Sequence, residues 1–285
     1  MSDAHERAIF LHYTEEIREE QRTAGGTSRL ELLRTFDLLT RFLPPPPAGI
    51  LDVGGAAGTY AFPLADRGYE VQLVDLIPRH VELARDISAH RAEARLASIE
   101  IGDARELPFA DASVDAVLLL GPLYHLTSQG DRLLALGEAR RVLRESGVVI
   151  AAAISRFAST YDGLLSGHLL NPSFRSIVER DVREGQHRNP ERHEGWFTSA
   201  YFHTPEELCG EIAEAGFDDA RVLAVEGPGG ILTDLDAWLN DPERRSILLE
   251  TIERIEEEPS VLGASLHLLG VARKGSAPPR ADTSK

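Results

Sequence analysis

The sequence predicts an α/β fold, a mostly parallel sheet with helices on both faces, and three observations point to it. Short apolar runs alternate with helical patterns through most of the chain, the order that builds βαβ units. One run, Ile50-Leu51-Asp52-Val53, ends in a turn of small residues, Gly54-Gly55-Ala56-Ala57-Gly58, which opens a helical pattern. A second, Glu70 to Val74, ends on Asp75, an acid about 20 residues beyond the glycine turn.

That first βαβ unit already implies a ligand. Ile50, Leu51 and Val53 read as a buried parallel strand. Glycines at the following turn let a ligand approach the backbone. Asp75, at the tip of the second strand, is placed to accept hydrogen bonds from ribose hydroxyls, so the ligand should be an adenosine cofactor. A dinucleotide fingerprint is not met: counting from Gly54, its third position is Ala56 and its sixth is Thr59.

What stands there instead, Asp52-Val53-Gly54-Gly55-Ala56-Ala57-Gly58, resembles the first motif of class I S-adenosylmethionine-dependent methyltransferases. That motif is an acid followed by G-x-G-x-G; here alanine replaces the middle glycine. The resemblance implies a Rossmann-like, seven-stranded, mostly parallel sheet. It also implies S-adenosyl-L-methionine as cofactor and S-adenosyl-L-homocysteine as product. By it, Asp52, Gly54, Gly55, Ala56, Gly58, Asp75 and Leu76 are cofactor residues.

Composition narrows the partners. A chain of 285 residues with 42% hydrophobic and 27% charged residues holds one large α/β domain with added pieces. Its net charge of −16 argues against nucleic acid, whose recognition rests on basic residues. The single cysteine, Cys209, excludes a disulfide framework and a cysteine-ligated metal site. No charged-then-apolar leader opens the chain, and no apolar run reaches about 18 residues. The expectation is a soluble cytoplasmic protein, monomer or homodimer, without membrane or nucleic-acid partner.

Taken in order, residues 1–47 form an N-terminal helical segment. Ile9, Phe10, Tyr13 and Ile17 keep helical spacing, Gly25-Gly26 breaks it, and Leu30 to Phe42 resumes it. Pro44 to Pro47 end the second helix. In the family such a segment covers the cofactor, which makes Tyr13 and Arg34 candidate contacts to its methionine end. The methyltransferase domain spans 48–273. After Asp75, Ile77-Pro78 starts a helix to about Glu93, with proline where a first turn tolerates it. Ala97 to Ile101 is the third strand, tipped by Gly102-Asp103-Ala104, and the resemblance places Asp103 at the adenine amino group with Gly102 and Ala104 beside it.

Val114 to Leu120 is the fourth strand, ending Gly121-Pro122-Leu123-Tyr124-His125. Ligands sit outside the carboxyl ends of parallel strands, so this tip, with Gly121, faces the reacting sulfur in the family. Methyltransferases acting on base amines carry Asn/Asp-Pro-Pro-Tyr/Phe here; Gly-Pro-Leu-Tyr lacks the polar group that holds an amine. Histidine is suited to take a proton near neutral pH, so His125 and Tyr124 are the catalytic candidates. Gln129 to Arg144 is an amphipathic helix and Val148 to Ile154 the fifth strand, in a phrase, EARRVLRESGVVIAA, that resembles the family's fifth unit.

Residues 155–203 interrupt the pattern with two helices and a polar loop, as lids do. His193, Trp196, Phe197, Tyr201 and His203 mix aromatic and polar groups as a substrate pocket does. No histidine pair at i, i+4 stands beside an acid, so no metal is expected. Thr204-Pro205-Glu206-Glu207 caps a helix, Ala220 to Glu226 is the sixth strand, 232–260 a helical insertion, and Ser265 to Arg273 a last, antiparallel strand. Residues 274–285 read as a disordered tail. The expected activity is methyl transfer to a small-molecule nucleophile. A methyltransferase for protein or RNA, and a non-methylating protein that keeps the cofactor site, are the alternatives.

Overall fold

The computed structural model describes residues 26–191, 193 and 195–275. Tyr13, the helix expected before Gly25 and most of the expected tail lie outside them. Helix α1 (Gly26–Phe42) precedes strand β1 (Gly49–Val53), and a short α2 (Ala61–Ala65) leads to β2 (Glu70–Asp75). Then come α3 (Pro78–Ala89), β3 (Ser98–Ile101), β4 (Val114–Leu119), α4 (Pro122–His125), α5 (Gln129–Val142) and β5 (Leu143–Ser155). The lid holds α6 (Ala158–Leu165), α7 (Pro172–Glu184), β6 (Gln186–His187) and β7 (Ala200–His203). The chain closes with α8 (Pro205–Glu214), β8 (Asp218–Ala224), α9 (Leu235–Asn240), α10 (Pro242–Glu253), α11 (Pro259–Leu262) and β9 (His267–Arg273).

Seven strands form the central sheet in the order β3-β2-β1-β4-β5-β9-β8. All run parallel except β9, which is antiparallel to β5 and β8. The order reverses between β1 and β4, which creates the crevice where open α/β sheets take their ligands. Alternate residues feed two cores. Leu51, Val117, Val149 and Ala272 face α5 and α8, with Leu136, Leu208 and Ile212. Ile50, Leu118, Ile150 and Val271 face α1, whose Leu38 and Leu39 are fully buried against them. Each fully buried leucine removes enough apolar surface to contribute about 1.5–3 kcal/mol.

The sheet holds nine strands rather than seven, because the lid adds two. β4 makes its last pair at Leu119 with Ala151, but β5 runs on to Ser155. That overhang leaves unpaired peptide groups on the β4 side. β7 takes them, pairing Phe202 with Ile154 and His203 with Ser155 in parallel, which satisfies groups otherwise costly to bury. β6 pairs antiparallel with β7. The stretch expected as a polar loop is therefore anchored directly over the tip of β4.

Three local expectations are corrected. α2 begins at Ala61, not Thr59, because Gly58 at φ +94° belongs to the preceding turn. α3 stops at Ala89, short of Glu93. The fifth strand begins at Leu143, not Val148, and carries a bulge with Ser146 at φ +64° and the β4–β5 register shifting between Val114 and Ala116. The cap of α8 is as expected, with Thr204 and Glu207 exchanging side chain-to-backbone hydrogen bonds. Among the described residues no helix is long and apolar enough to cross a membrane.

Candidate cofactor and substrate site

The carboxyl tips of β1, β2 and β4 meet. Val74 O accepts hydrogen bonds from Gly54 N (2.7 Å) and Gly55 N (3.3 Å), which ties the glycine turn to β2. A Cβ on Gly54 would lie 2.9 Å from Pro122 Cδ, one on Gly55 2.8 Å from Asp52 Oδ2, and one on Gly58 2.6 Å from the Phe62 ring. None of the three fits a side chain. Ala56 stands at φ +48°, where a non-glycine residue costs about 1–2 kcal/mol. Its N–H donates to Asp75 Oδ2 at 2.9 Å, which helps offset that strain.

Asp75 therefore does two jobs. Oδ2 holds the turn, while Oδ1 accepts from Ile77 N at 2.8 Å and sits 3.2 Å from His80 Nδ1. An ionised carboxylate has about four lone-pair positions, so ribose hydroxyls still find acceptors there. Beside it Leu76 and Ile101 stay half exposed, an apolar surface at the tips of β2 and β3. Ile101, paired with Asp75 across β2 and β3, and His80 are neighbours of this acid that sequence reasoning did not single out. His80 falls one helical turn into α3, a placement nothing in its own neighbourhood announces.

Asp52 is the most perturbed group at the site. It is 1% exposed, and its Oδ2 has no hydrogen-bond partner among the described residues. Burial first, and then the nearby Asp75 charge, push its carboxyl up to about 7. Asp103 sits at the β3 tip as expected, but Arg105 claims it. The Arg105 Nε lies 2.9 Å from Oδ1 and its backbone N–H donates to the same oxygen at 2.9 Å. Burial raises the Asp103 pKa, but these bonds outweigh it and hold the carboxyl below the usual range. Gly102 is packed so closely that a Cβ would lie 2.7 Å from Val74 Cγ2, and Ala104 is buried behind it.

At the β4 tip, Gly121 opens α4, which carries Tyr124 and His125. Tyr124 is buried against Ile154, Ala200 and Phe202, with Phe197 at the margin. His125 is half-buried; its ring meets Tyr124 edge-on (centroids 4.6 Å apart) and stacks on Phe197 (5.9 Å, 21° between planes). Phe197 thus brings the lid onto the β4 tip. Trp196 instead packs with Phe174 (4.9 Å) and His193 (4.2 Å), and His193 bonds the exposed Glu191 through Nε2 at 2.8 Å.

Two expected contacts are corrected outright. His203 is fully buried in β7 with Nε2 3.3 Å from Glu211, so it faces no ligand. Burial lowers its pKa and keeps it neutral. Tyr201 lies beside it, under the Arg132 guanidinium at 3.8 Å. Arg132 in turn holds Glu211 by two bonds, of 2.8 and 2.6 Å. This buried network fastens the lid to α5 and α8. Arg34, fully buried in α1, spends its guanidinium on Asp37, Glu256 and the Val225 carbonyl, so it locks α1 to the end of β8 instead of meeting a cofactor.

The tips of β2, β1 and β4 meet at the crevice where open α/β sheets take their ligands. Residues 51–151 match the model of the methyltransferase domain family, and this part of the chain is similar to S-adenosylmethionine-dependent methyltransferases. The chain is 34% identical over 179 residues to the malonyl-[acyl-carrier protein] O-methyltransferase of Geobacter sulfurreducens, covering 62% of this chain and 58% of that one. It is 35% identical over 136 residues to the ubiquinone/menaquinone biosynthesis C-methyltransferase of Paracoccus denitrificans, covering 47% and 52%. The chain thus spans little more than half the length of these curated relatives. An S-adenosylmethionine-dependent methyltransferase from Methanosarcina mazei shares the fold, with a TM-score of 0.56 at 19% identity over 84% of this chain and 98% of that one.

S-adenosylmethionine is the cofactor of this class, and the residues present fit it. The turn that carries the motif needs glycine at 54, 55 and 58, because a Cβ there would collide with Pro122, Asp52 or Phe62. The buried, unpartnered Asp52 oxygen suits a cationic ligand, and Asp75 with Leu76 and Ile101 suits an adenosine.

Proposed function

We propose that the protein transfers a methyl group from S-adenosylmethionine to a nucleophile on a small molecule held under the lid. One observation carries this reading: β7 is planted on the overhang of β5, and the segment before it lays Phe197 on His125 at the β4 tip. The reacting end of the cleft is thereby roofed by the chain itself. Such a roof fits a ligand small enough to be enclosed better than a folded macromolecule. The relatives whose names mention an acyl-carrier malonyl group and quinones support a carboxylate or ring-activated nucleophile.

The roles follow from position. When bound, the sulfonium cofactor supplies an electrophilic methyl carbon. The Gly54–Gly58 turn receives the cofactor backbone-first, Asp75 accepts from its ribose, and Asp52 faces its positive charge. Asp103, Gly102 and Ala104 border the adenine, Asp103 with its charge shared by Arg105. Gly121, Tyr124, His125 and Phe197 shape the far wall, where holding the nucleophile in line supplies about 7–11 kcal/mol. Trp196 and His193 stand further out in the lid, at its entrance.

Labelled S-adenosylmethionine, incubated with a panel containing a malonyl thioester, a hydroquinone and a catechol, tests this. Label should appear on a small molecule. Transfer only onto protein or RNA would overturn the enclosed-substrate reading.

A further inference from the structure

Phe197 can shape a substrate wall only if its backbone is held in place, and a buried acid and histidine hold it. α7 ends on Gly185 at φ +70°, where a Cβ would lie 2.5 Å from Phe202 O, so glycine alone lets the chain turn back this closely onto β7. β6 follows at once, and its two residues pair with Tyr201 and Ala200. Successive strand side chains point to opposite faces. Gln186 reaches Thr127, just past His125, and donates from Nε2 to its carbonyl at 3.0 Å. His187 turns inward and is buried, its ring stacked on Phe202 with centroids 4.8 Å apart and 15° between planes.

Both nitrogens of that ring face oxygen. Nδ1 lies 2.7 Å from Oδ2 of Asp181, a fully buried residue of α7, and Nε2 lies 3.3 Å from the Phe197 carbonyl. A carbonyl only accepts, so Nε2 carries a hydrogen, and a carboxylate likewise requires one on Nδ1. The ring is therefore an imidazolium with Asp181 as its counter-charge. Each compensates the other in a place where one charge alone would be costly. Asp181 Oδ1 has no hydrogen-bond partner among the described residues, which leaves His187 as the one partner of this side chain there. A neutral ring bonded to the acid through Nδ1 would turn a bare Nε2 lone pair onto the Phe197 carbonyl, and the hold would be lost.

We propose that His187 and Asp181 are positioning residues for methyl transfer, the imidazolium fixing the Phe197 backbone so that its ring stays on the β4 tip. The assignment rests on the enclosed-substrate reading above. The contacts run without a break. Asp181 orients His187, and His187 Nε2 donates to Phe197 O. The Phe197 ring then lies against His125 and Tyr124, at 5.9 and 6.3 Å between centroids. Both residues act through the wall rather than on the reacting atoms. Displacing such a wall by about 1 Å can cost about 10²-fold in rate, because the nucleophile must be held in line.

The first tests need no substrate. In the full chain with S-adenosylhomocysteine bound, nitrogen NMR of histidine-labelled protein should show hydrogen on both ring nitrogens of His187, identified by their loss in His187→Asn. An Nε2 without hydrogen overturns the proposal. With fluorophenylalanine incorporated, the Phe197 signal, assigned by its absence in Phe197→Leu, should shift or broaden in His187→Asn, whose short amide reaches Asp181 but not Phe197. An unmoved signal refutes the hold.

Kinetics on the malonyl thioester, hydroquinone and catechol panel then separate positioning from packing. His187→Asn should lower kcat/KM by about 10–100-fold, with S-adenosylhomocysteine affinity within about twofold of the parent. His187→Gln, whose longer amide still reaches the carbonyl, should recover most of that loss. In a Phe197→Ala background the His187→Asn change should cost less than about twofold, because the ring it positions is gone. Equal losses in both backgrounds, or no loss in the parent, refute the assignment. If His187→Asn does not fold, Asp181→Asn takes its place in the same cycle: its amide leaves the ring neutral and should give the same loss, absent in the Phe197→Ala background. If S-adenosylhomocysteine binds and no panel member is methylated, the small-molecule reading fails, while the ring nitrogens and the Phe197 signal still decide the hold.

Discussion

Asp52→Asn is the sharpest perturbation of the cofactor end, because it removes a charge and almost nothing else. The parent carboxyl is buried, with no hydrogen-bond partner for Oδ2 among the described residues, and its pKa is lifted from 3.8 to about 7 by burial and by Asp75. An acid with a raised folded-state pKa binds more protons folded than unfolded between those two values. Its contribution is therefore most favourable below pH 3.8 and is lost as pH climbs through about 7. Three pH units at about 1.4 kcal/mol each make that loss about 4 kcal/mol. Without ligand, Asp52→Asn should be more stable than the parent at pH 8 by up to that amount, and no more stable below pH 4.

Cofactor binding should show the opposite sign. If the charged form of Asp52 favours a cationic ligand, affinity tracks the ionised fraction, which rises about tenfold from one unit below the pKa to one unit above it. Calorimetric titration with S-adenosylmethionine, which carries the sulfonium charge, at pH 6, 7 and 8 should show that rise in the parent. It should also show a proton released on binding at pH 6. In Asp52→Asn the affinity should be lower at pH 8 and flat with pH. A parent affinity independent of pH, or a variant that binds as tightly at pH 8, refutes the role given to this carboxylate.

Three further outcomes are expected. Asp75→Ala should weaken S-adenosylhomocysteine by about 10–100-fold, the value of one or two hydrogen bonds to a charged group, and should loosen the turn at Ala56; unaltered affinity by calorimetry would remove the ribose assignment. Burial raises the Glu211 pKa, but Arg132 and His203 outweigh it and lower the carboxyl to about 2, so the Glu211 contribution is present above pH 4.5 and lost as pH falls toward 2. Glu211→Gln should then lose about 3 kcal/mol at pH 7 and little at pH 2 in denaturant unfolding; an equal loss at both values would point to packing instead. Phe197→Ala should open the wall at the β4 tip and cut kcat/KM by about tenfold or more, with S-adenosylhomocysteine affinity kept; a fall in cofactor affinity alone would move Phe197 out of the substrate wall.

The sequence was most readable where local backbone chemistry decides the structure. The Gly54–Gly58 turn, the acid closing β2 and the Thr204 cap are each written in a few adjacent residues, and each stands where expected. Reading failed where a residue's partner is far along the chain. Ala200 to His203 is too short to announce itself as a strand, and it becomes one only because β5 overhangs β4. Alternation along that strand then buries His203 against Glu211, eight residues on, although its composition suggested a ligand contact. Arg34 looked free for the cofactor, but Glu256, more than two hundred residues later, neutralises it. Glu226 and His267, joined by a hydrogen bond, are separated by 41 positions with a helical insertion between, and no spacing rule joins them.

The central claim is that the tips of β1, β2 and β4 form a site for S-adenosylmethionine. Parallel calorimetric titrations of the full chain with S-adenosylmethionine, S-adenosylhomocysteine and NAD test it most directly. Binding of the first two with no heat from NAD is the predicted result. Binding of NAD alone, or silence for all three ligands, would contradict it.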